Sequence, residues 1–134
     1  MVILFDRFNL PDDIYEIVFA TKQQKIVAKL LIDYLKVHGG EITKTEMSLF
    51  ATKLHNGEII TKIDLPEYEG KRVKLSYNKR QFYDRILTPL KTMGMIDYDM
   101  YKKTYKLSDK FNKEMVKIGL MWLRELKKPP SSFV

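Results

Sequence analysis

His38 and His55 are the side chains best suited to proton transfer or metal binding, because a neutral imidazole does both near neutral pH. Neither has an Asp or Glu at the local spacing of a metal site, and the chain contains no cysteine. Thiolate nucleophiles, Cys-based zinc sites and disulfide staples are thereby excluded. Each histidine instead stands near the end of a helical pattern, where it complements the negative end of the helix dipole. Asp97 and Asp99 occupy alternate positions of a strand pattern, and two acids are too few ligands to specify a divalent ion. No phosphate-cradling glycine loop, HExxH pair or nucleophile elbow occurs. The expectation is therefore a chain with no catalytic centre, no metal and no cofactor.

The chemistry that remains is that of charge. Twenty-four Lys and Arg against 17 Asp and Glu leave a net charge of +7, which favours polyanions such as nucleic acid or anionic lipid. The distribution is uneven: residues 1–20 carry one Arg and four acids, whereas residues 110–134 carry six bases and two acids. Two groups combine cations with hydrogen-bonding or amphipathic side chains. One is the run Asn78, Lys79, Arg80 and Gln81, with Lys91 further on; the other is Lys102 and Lys103 flanked by Tyr98, Tyr101 and Tyr105.

Those groups need elements to position them. A length of 134 residues with 45% apolar and 12% aromatic content is enough for one packed domain. Val2 to Phe5 reads as a short strand or arm, and Asn9 can cap a brief helix with Pro11, Asp12 and Asp13 in its first turn, an N-terminal unit of residues 1–20. Thr21 and Gln24 form a capping box for a second helix whose Val27, Leu30, Leu31, Tyr34 and Leu35 repeat every three or four residues up to Gly39 and Gly40. After a short extended piece at Glu41 and Ile42, Thr43 and Glu46 open a third helix that buries Met47, Phe50, Ala51 and Leu54 and stops at Asn56 and Gly57. Across 58–77, Ile59, Thr61, Ile63 and Leu65 alternate, as do Val73, Leu75 and Tyr77, around turn residues Pro66 to Gly70, which predicts a hairpin or a long ordered loop.

Asn78 and Gln81 then start a helix with Phe82, Ile86, Leu90 and Met93 on its core face, ending at Gly94, and Pro89 is expected to kink or shorten it. Met95 to Asp99 and Thr104 to Leu107 predict two strands joined by a basic turn. Ser108 caps a last helix reaching about Lys128, followed by a mobile tail at 129–134. The apolar opening is interrupted by Asp6 and Arg7, too early for a signal peptide or membrane span. With no cysteine, a cytoplasmic location away from membranes is expected.

This order of helix, tiny strand, helix, helix, hairpin and helix resembles the winged helix-turn-helix superfamily over Thr21 to Lys128, most closely from Asn78 to Leu107. The resemblance implies an α+β, mostly α fold with a two-stranded wing and a long C-terminal helix. It also implies a regulator of transcription that holds double-stranded DNA through a recognition helix at 78–93 and a wing at 97–107. With the core face as given, Arg80, Gln81, Asp84, Thr88 and Lys91 point outward beyond the Asn78 cap. Arg80 suits guanine, Gln81 adenine, and Lys79 and Lys91 phosphates, while Asp84 can accept from cytosine or pair with a neighbouring base. Tyr101, Lys102 and Lys103 would lie along a sugar-phosphate edge. One departure is plain: the motif's three- or four-residue turn is replaced by 58–77, whose four bases balance four acids.

The last helix carries apolar residues on two sides, Phe111, Met115, Ile118 and Trp122 on one and Val116, Leu120 and Leu123 on the other. One side is expected to close the domain and Val116, Leu120 and Leu123 to form a homodimer contact, unless the N-terminal arm covers them. Two other functions share these features: a protein-interaction scaffold subunit of a larger assembly, and a replication or RNA accessory module.

Overall fold

A computed structural model describes residues 7–62 and 72–133 of the chain. The Val2 to Phe5 segment and the Pro66 to Gly70 turn lie outside the described residues. The fold is α+β and mostly helical. In order it runs α1 (Ile14–Val18), α2 (Lys22–Val37), β1 (Glu41–Thr43), α3 (Lys44–His55), β2 (Ile59–Lys62), β3 (Arg72–Leu75), α4 (Lys79–Phe82), a π-helical turn (Tyr83–Leu87), α5 (Thr88–Thr92), β4 (Ile96–Asp99), β5 (Thr104–Leu107) and α6 (Lys110–Lys127). Among the described residues no helix is long and apolar enough to cross a membrane.

Local chemistry starts each helix. Asp13, rather than Asn9, caps α1 by accepting from the Tyr15 N–H. Thr21 and Gln24 exchange the two hydrogen bonds of a capping box, and Thr43 and Glu46 repeat it for α3. The Thr43 backbone N–H and then its hydroxyl hold the Glu46 carboxyl below the usual carboxylate range. α2 ends where Gly39 and Gly40 take positive φ and the Gly40 N–H closes on the Leu35 carbonyl at 2.7 Å.

The core is one apolar cluster. Val27, Ala28, Leu31 and Leu35 of α2 face Met47, Phe50, Ala51 and Leu54 of α3, with Phe82, Ile86, Leu87 and Leu90 lying against them. A chain of rings crosses these helices, with Tyr34 to Phe50 at 4.9 Å and Phe50 to Phe82 at 5.7 Å between centroids. Tyr15 packs half-buried against this core, and burial, helped by Asp33 and Asp13, pushes its phenol up to about 12.

The sheet has the order β1-β5-β4, all antiparallel, with Ile42 opposite Tyr105 and Tyr105 opposite Tyr98. Because cross-strand partners share a face, Ile42, Tyr98, Tyr105, Ile96 and Leu107 line the side toward the helices. On the other side Glu41 and Asp97 both oppose Lys106, and Asp97 also pairs with Lys110. That outer side is consequently a ladder of alternating charge.

β2 and β3 form a separate two-stranded hairpin with Ile59 opposite Leu75, one of the two outcomes the alternation allowed. The hairpin closes at its base: the Tyr77 N–H donates to the Leu54 carbonyl at 3.1 Å and the Ser76 hydroxyl to that of His55. The chain at Ser76 and Tyr77 thus lies at the end of α3, so α4 starts beside the last turn of α3 despite the long connection.

Pro89 was expected to kink or shorten its helix, and just before it the regular α-helix gives way to a π-helical turn. The proline falls at the first turn of α5, immediately after the π-helical turn, where the Thr88 N–H bonds the Tyr83 carbonyl. An i to i−5 turn widens the helix just where the proline ring would strike a carbonyl and its nitrogen could donate nothing. The extra residue per turn also rotates Leu87, absent from the expected core face, into the interior at 2% exposure, while Met93 is only partly covered.

α6 departs most from expectation. Neither of its apolar sides closes the domain, and no residue of the helix is buried. Only its first turn is tied down: the Ser108 hydroxyl accepts from the Lys110 N–H, and the Phe111 N–H donates to the Gly94 carbonyl at 3.1 Å. Gly94 has φ of +83°, and a Cβ there would sit 3.0 Å from the Phe111 nitrogen, so glycine is required on both counts.

Candidate nucleic-acid interface

The outward side of the helix from Lys79 to Thr92 presents Arg80, Gln81, Asp84, Arg85, Thr88 and Lys91. Asn78 fixes its start by accepting from the Gln81 N–H at 3.1 Å. Arg80 Nε lies 3.8 Å from Asp84 Oδ2, with the two side chains 91 and 66% exposed. A pair so open to water is worth at most about 1 kcal/mol, so Arg80 can exchange it for a base edge or a phosphate.

Lys79 is placed otherwise than the phosphate role requires. Its ammonium donates to the hydroxyls of Thr52 at 2.9 Å and Ser48 at 3.3 Å, and its backbone N–H donates to His55 Nδ1 at 3.0 Å. Lys79 therefore clamps α4 onto α3, and His55 serves as an acceptor for α4 rather than as a dipole partner alone. Lys79→Ala is expected to lower stability by about 1–2 kcal/mol, the cost of leaving part-buried hydroxyls without their donor. In denaturant titration this appears as a lower midpoint, with the salt dependence of any duplex binding unchanged; a changed salt slope with unaltered stability would overturn the assignment.

Lys91 stands between the helix from Lys79 to Thr92 and the β4–β5 hairpin. Its ammonium is 5.6 Å from the Tyr98 ring centre and 5.9 Å from that of Tyr105, and those rings stack 4.6 Å apart. A cation over two ring faces at these distances gains cation–π attraction. Burial above all, with Tyr83 and Tyr98 nearby, raises the Tyr105 phenol and keeps it neutral beneath that charge.

The tip of the β4–β5 hairpin is built by Asp99. Its Oδ1 accepts from the N–H groups of Tyr101 at 2.9 Å and Lys102 at 3.1 Å. The Lys102 bond, then the Tyr101 bond, hold the carboxyl below its ordinary value, helped by the Lys102 and Lys106 charges. Lys103 takes φ of +53°, the left-handed region, and its carbonyl accepts from the Lys44 N–H at 2.9 Å. Lys102 and Lys103 are thereby fixed beside Lys44, the first residue of α3, and all three side chains are exposed. Tyr101, 98% exposed, stands at the same tip.

α3 links the two cationic groups, its first residue touching the hairpin tip and its last, His55, touching the start of α4. Twelve residues of helix span about 18 Å. Lys44 and Arg85 were not among the candidates read from sequence. The pairing of β1 with β5 brings Lys44 to the tip, a contact between positions some sixty residues apart that no local pattern signals. Arg85 lies between two core positions of a regular helix, a flank whose exposure the π-helical turn decides.

Among the described residues no group of three His, Asp or Glu is placed to hold a metal ion. Asp97 is occupied by Lys110, and Asp99 by the tip backbone. Compared with models of protein families, with curated proteins and with solved structures, the chain matches none.

Proposed function

We propose that the chain is a winged-helix domain that binds double-stranded DNA as a homodimer and regulates transcription, with the helix from Lys79 to Thr92 in the major groove and the β4–β5 hairpin as the wing. The observation that carries this reading is the grouping of Lys44, Lys102 and Lys103, whose backbones are tied together at the tip by hydrogen bonds and joined by α3 to the Arg80 end of the helix. The element order and the β1-β5-β4 sheet support it as well, since such domains place a short strand against the wing.

In this reading Lys44, Lys102, Lys103 and Arg85 take phosphates, Arg80 and Gln81 read base edges, and Asp84 keeps Arg80 oriented until DNA displaces it. Thr88 and Tyr101 contribute short-range contacts at the rim. Lys91, stacked on Tyr98 and Tyr105, braces the wing against the helix. The outer face of the sheet, where Lys106 stands between Glu41 and Asp97, alternates in sign and offers no continuous basic surface.

Anisotropy titrations against a panel of selected and scrambled duplexes test it. Lys102→Ala is expected to weaken every duplex by the same factor, whereas Arg80→Ala levels the preference between duplexes, a difference of about 1–3 kcal/mol for the preferred one. Equal affinity of the unmodified protein and the Lys44→Ala/Lys102→Ala/Lys103→Ala variant for duplex would overturn the reading. Tighter binding of single strands than of duplex would instead favour the RNA or replication role.

A further inference from the structure

α6 is 18 residues long, about 27 Å, and from Met115 onward every large apolar side chain on it is exposed. At 100° per residue seven of these side chains form one arc of about 200° from Ile118 round to Leu120, with Gly119 near its centre and Met121 about 60° outside it. Those seven leave between 38 and 64% of their surface open, together roughly 800 Å². That exceeds the largest apolar patch of a typical monomer and equals what one partner contributes to a standard protein interface.

Gly119 is the second anomaly. Glycine is intrinsically unfavourable inside a helix, and nothing lies within 4 Å of the position a Cβ would occupy there. Packing among the described residues therefore gives no reason for it. A second helix crossing at that point does, because a missing side chain lets two backbones approach closely.

The third observation is an apolar cleft of about 290 Å³ at the foot of α6, lined among others by Ile14, Val18, Leu90, Met95 and Phe111. Phe111 belongs to both the cleft and the helix, so the cleft continues the exposed arc into the body of the domain.

We infer that α6 pairs antiparallel with α6 of a second copy of this chain, crossing at Gly119, and that the partner helix brings its C-terminal turns to the cleft at the foot of the first. The direction follows from symmetry. In an antiparallel two-fold pair, equivalent flanks of the two helices lie on the same side. Trp122 and Leu126 share a flank with Phe111, so only this arrangement delivers the partner's copies of them to the cleft; a parallel pair leaves them at the far end. With the two-fold axis at Gly119, Met115 meets Leu123 and Asn112 meets Leu126 across the pair. The pair covers Met115 and Trp122 of one apolar side and Val116 and Leu123 of the other, while Ile118 and Leu120, about 100° from the crossing, lie at its rim.

This gives a structure to the homodimer of the proposed function but needs no DNA, so a failure here leaves the DNA reading to its own test. The absence of native cysteine permits crosslinking without background. Light scattering of the unmodified protein without DNA is expected to give twice 15.9 kDa at micromolar concentration, and Gly119→Leu to weaken the pair at least tenfold although leucine favours helix. The Asn112→Cys/Leu126→Cys variant is expected to form a disulfide dimer on mild oxidation, and Asn112→Cys alone to form none. A monomeric mass, an unchanged dimer in Gly119→Leu, or a disulfide dimer from Asn112→Cys alone would each overturn the inference, the last by showing a parallel pair.

Discussion

Phe82→Ala is expected to lower the stability of the domain by about 3–5 kcal/mol, the range for truncating a fully buried phenylalanine. Phe82 is completely enclosed, and its ring meets Phe50 of α3 at 5.7 Å and Tyr83 edge-on at 5.5 Å. Neighbours on three helices surround the site and cannot all collapse into the space, so the lost transfer energy is joined by the cost of a cavity. For a domain with a total stability of about 5–15 kcal/mol this is a large fraction. It corresponds to a fall in Tm of roughly 10–20 °C. Urea titration followed by far-UV circular dichroism checks it, and a loss below about 1 kcal/mol would show that α4 does not depend on this contact. Phe82 also anchors the helix that carries Arg80 and Gln81, so the folded fraction and the binding-competent fraction are expected to fall together.

The second large effect concerns salt. In the proposed DNA complex four cations per protomer face phosphates, Lys44, Lys102, Lys103 and Arg85, which makes eight in a dimer. Each neutralised phosphate releases about 0.9 counterion, so the logarithm of affinity falls against the logarithm of salt with a slope of about −7. Raising salt from about 50 to about 200 mM then weakens duplex binding on the order of 10⁴-fold. Removing the three tip lysines together is expected to bring the slope to about −2, because six of those contacts disappear from the dimer. Anisotropy at five or more salt concentrations measures this. A slope shallower than about −2 in the unmodified protein means that the charge of +7 serves solubility and that the duplex is not the partner.

The two effects meet in α3. Its buried side, Met47, Phe50, Ala51 and Leu54, holds the core, while its ends touch the wing tip through Lys44 and the start of α4 through His55. A rigid α3 fixes the spacing of the two cationic groups, and the Lys79 clamp onto Ser48 and Thr52 sets the angle at which α4 leaves it. If the proposed duplex binding holds, core variants in α3 are expected to alter binding as well as stability, and Lys102→Ala to alter binding alone.

Much of this organisation is local and so was legible in the residues themselves. Capping boxes at Thr21 and Thr43, positive-φ glycines at Gly39, Gly57 and Gly94, and apolar spacing at three and four residues are decided by neighbours within one turn, and each appears where the sequence places it. The alternation around Tyr98 and Tyr105 likewise set the two strands and their basic turn. Tertiary structure alone decided what depends on distant partners. The pairing of β1 with β5 brought Lys44 to Lys103, the hairpin closure at Tyr77 brought Lys79 to Ser48 and Thr52, and the widened turn before Pro89 turned Leu87 inward. The open α6 belongs to the same class: its periodicity announces an apolar face, but only the packing of the body shows that no element of the described chain covers it. Short-range hydrogen bonding is written in adjacent residues, whereas a side chain's partner across the fold depends on every element between them.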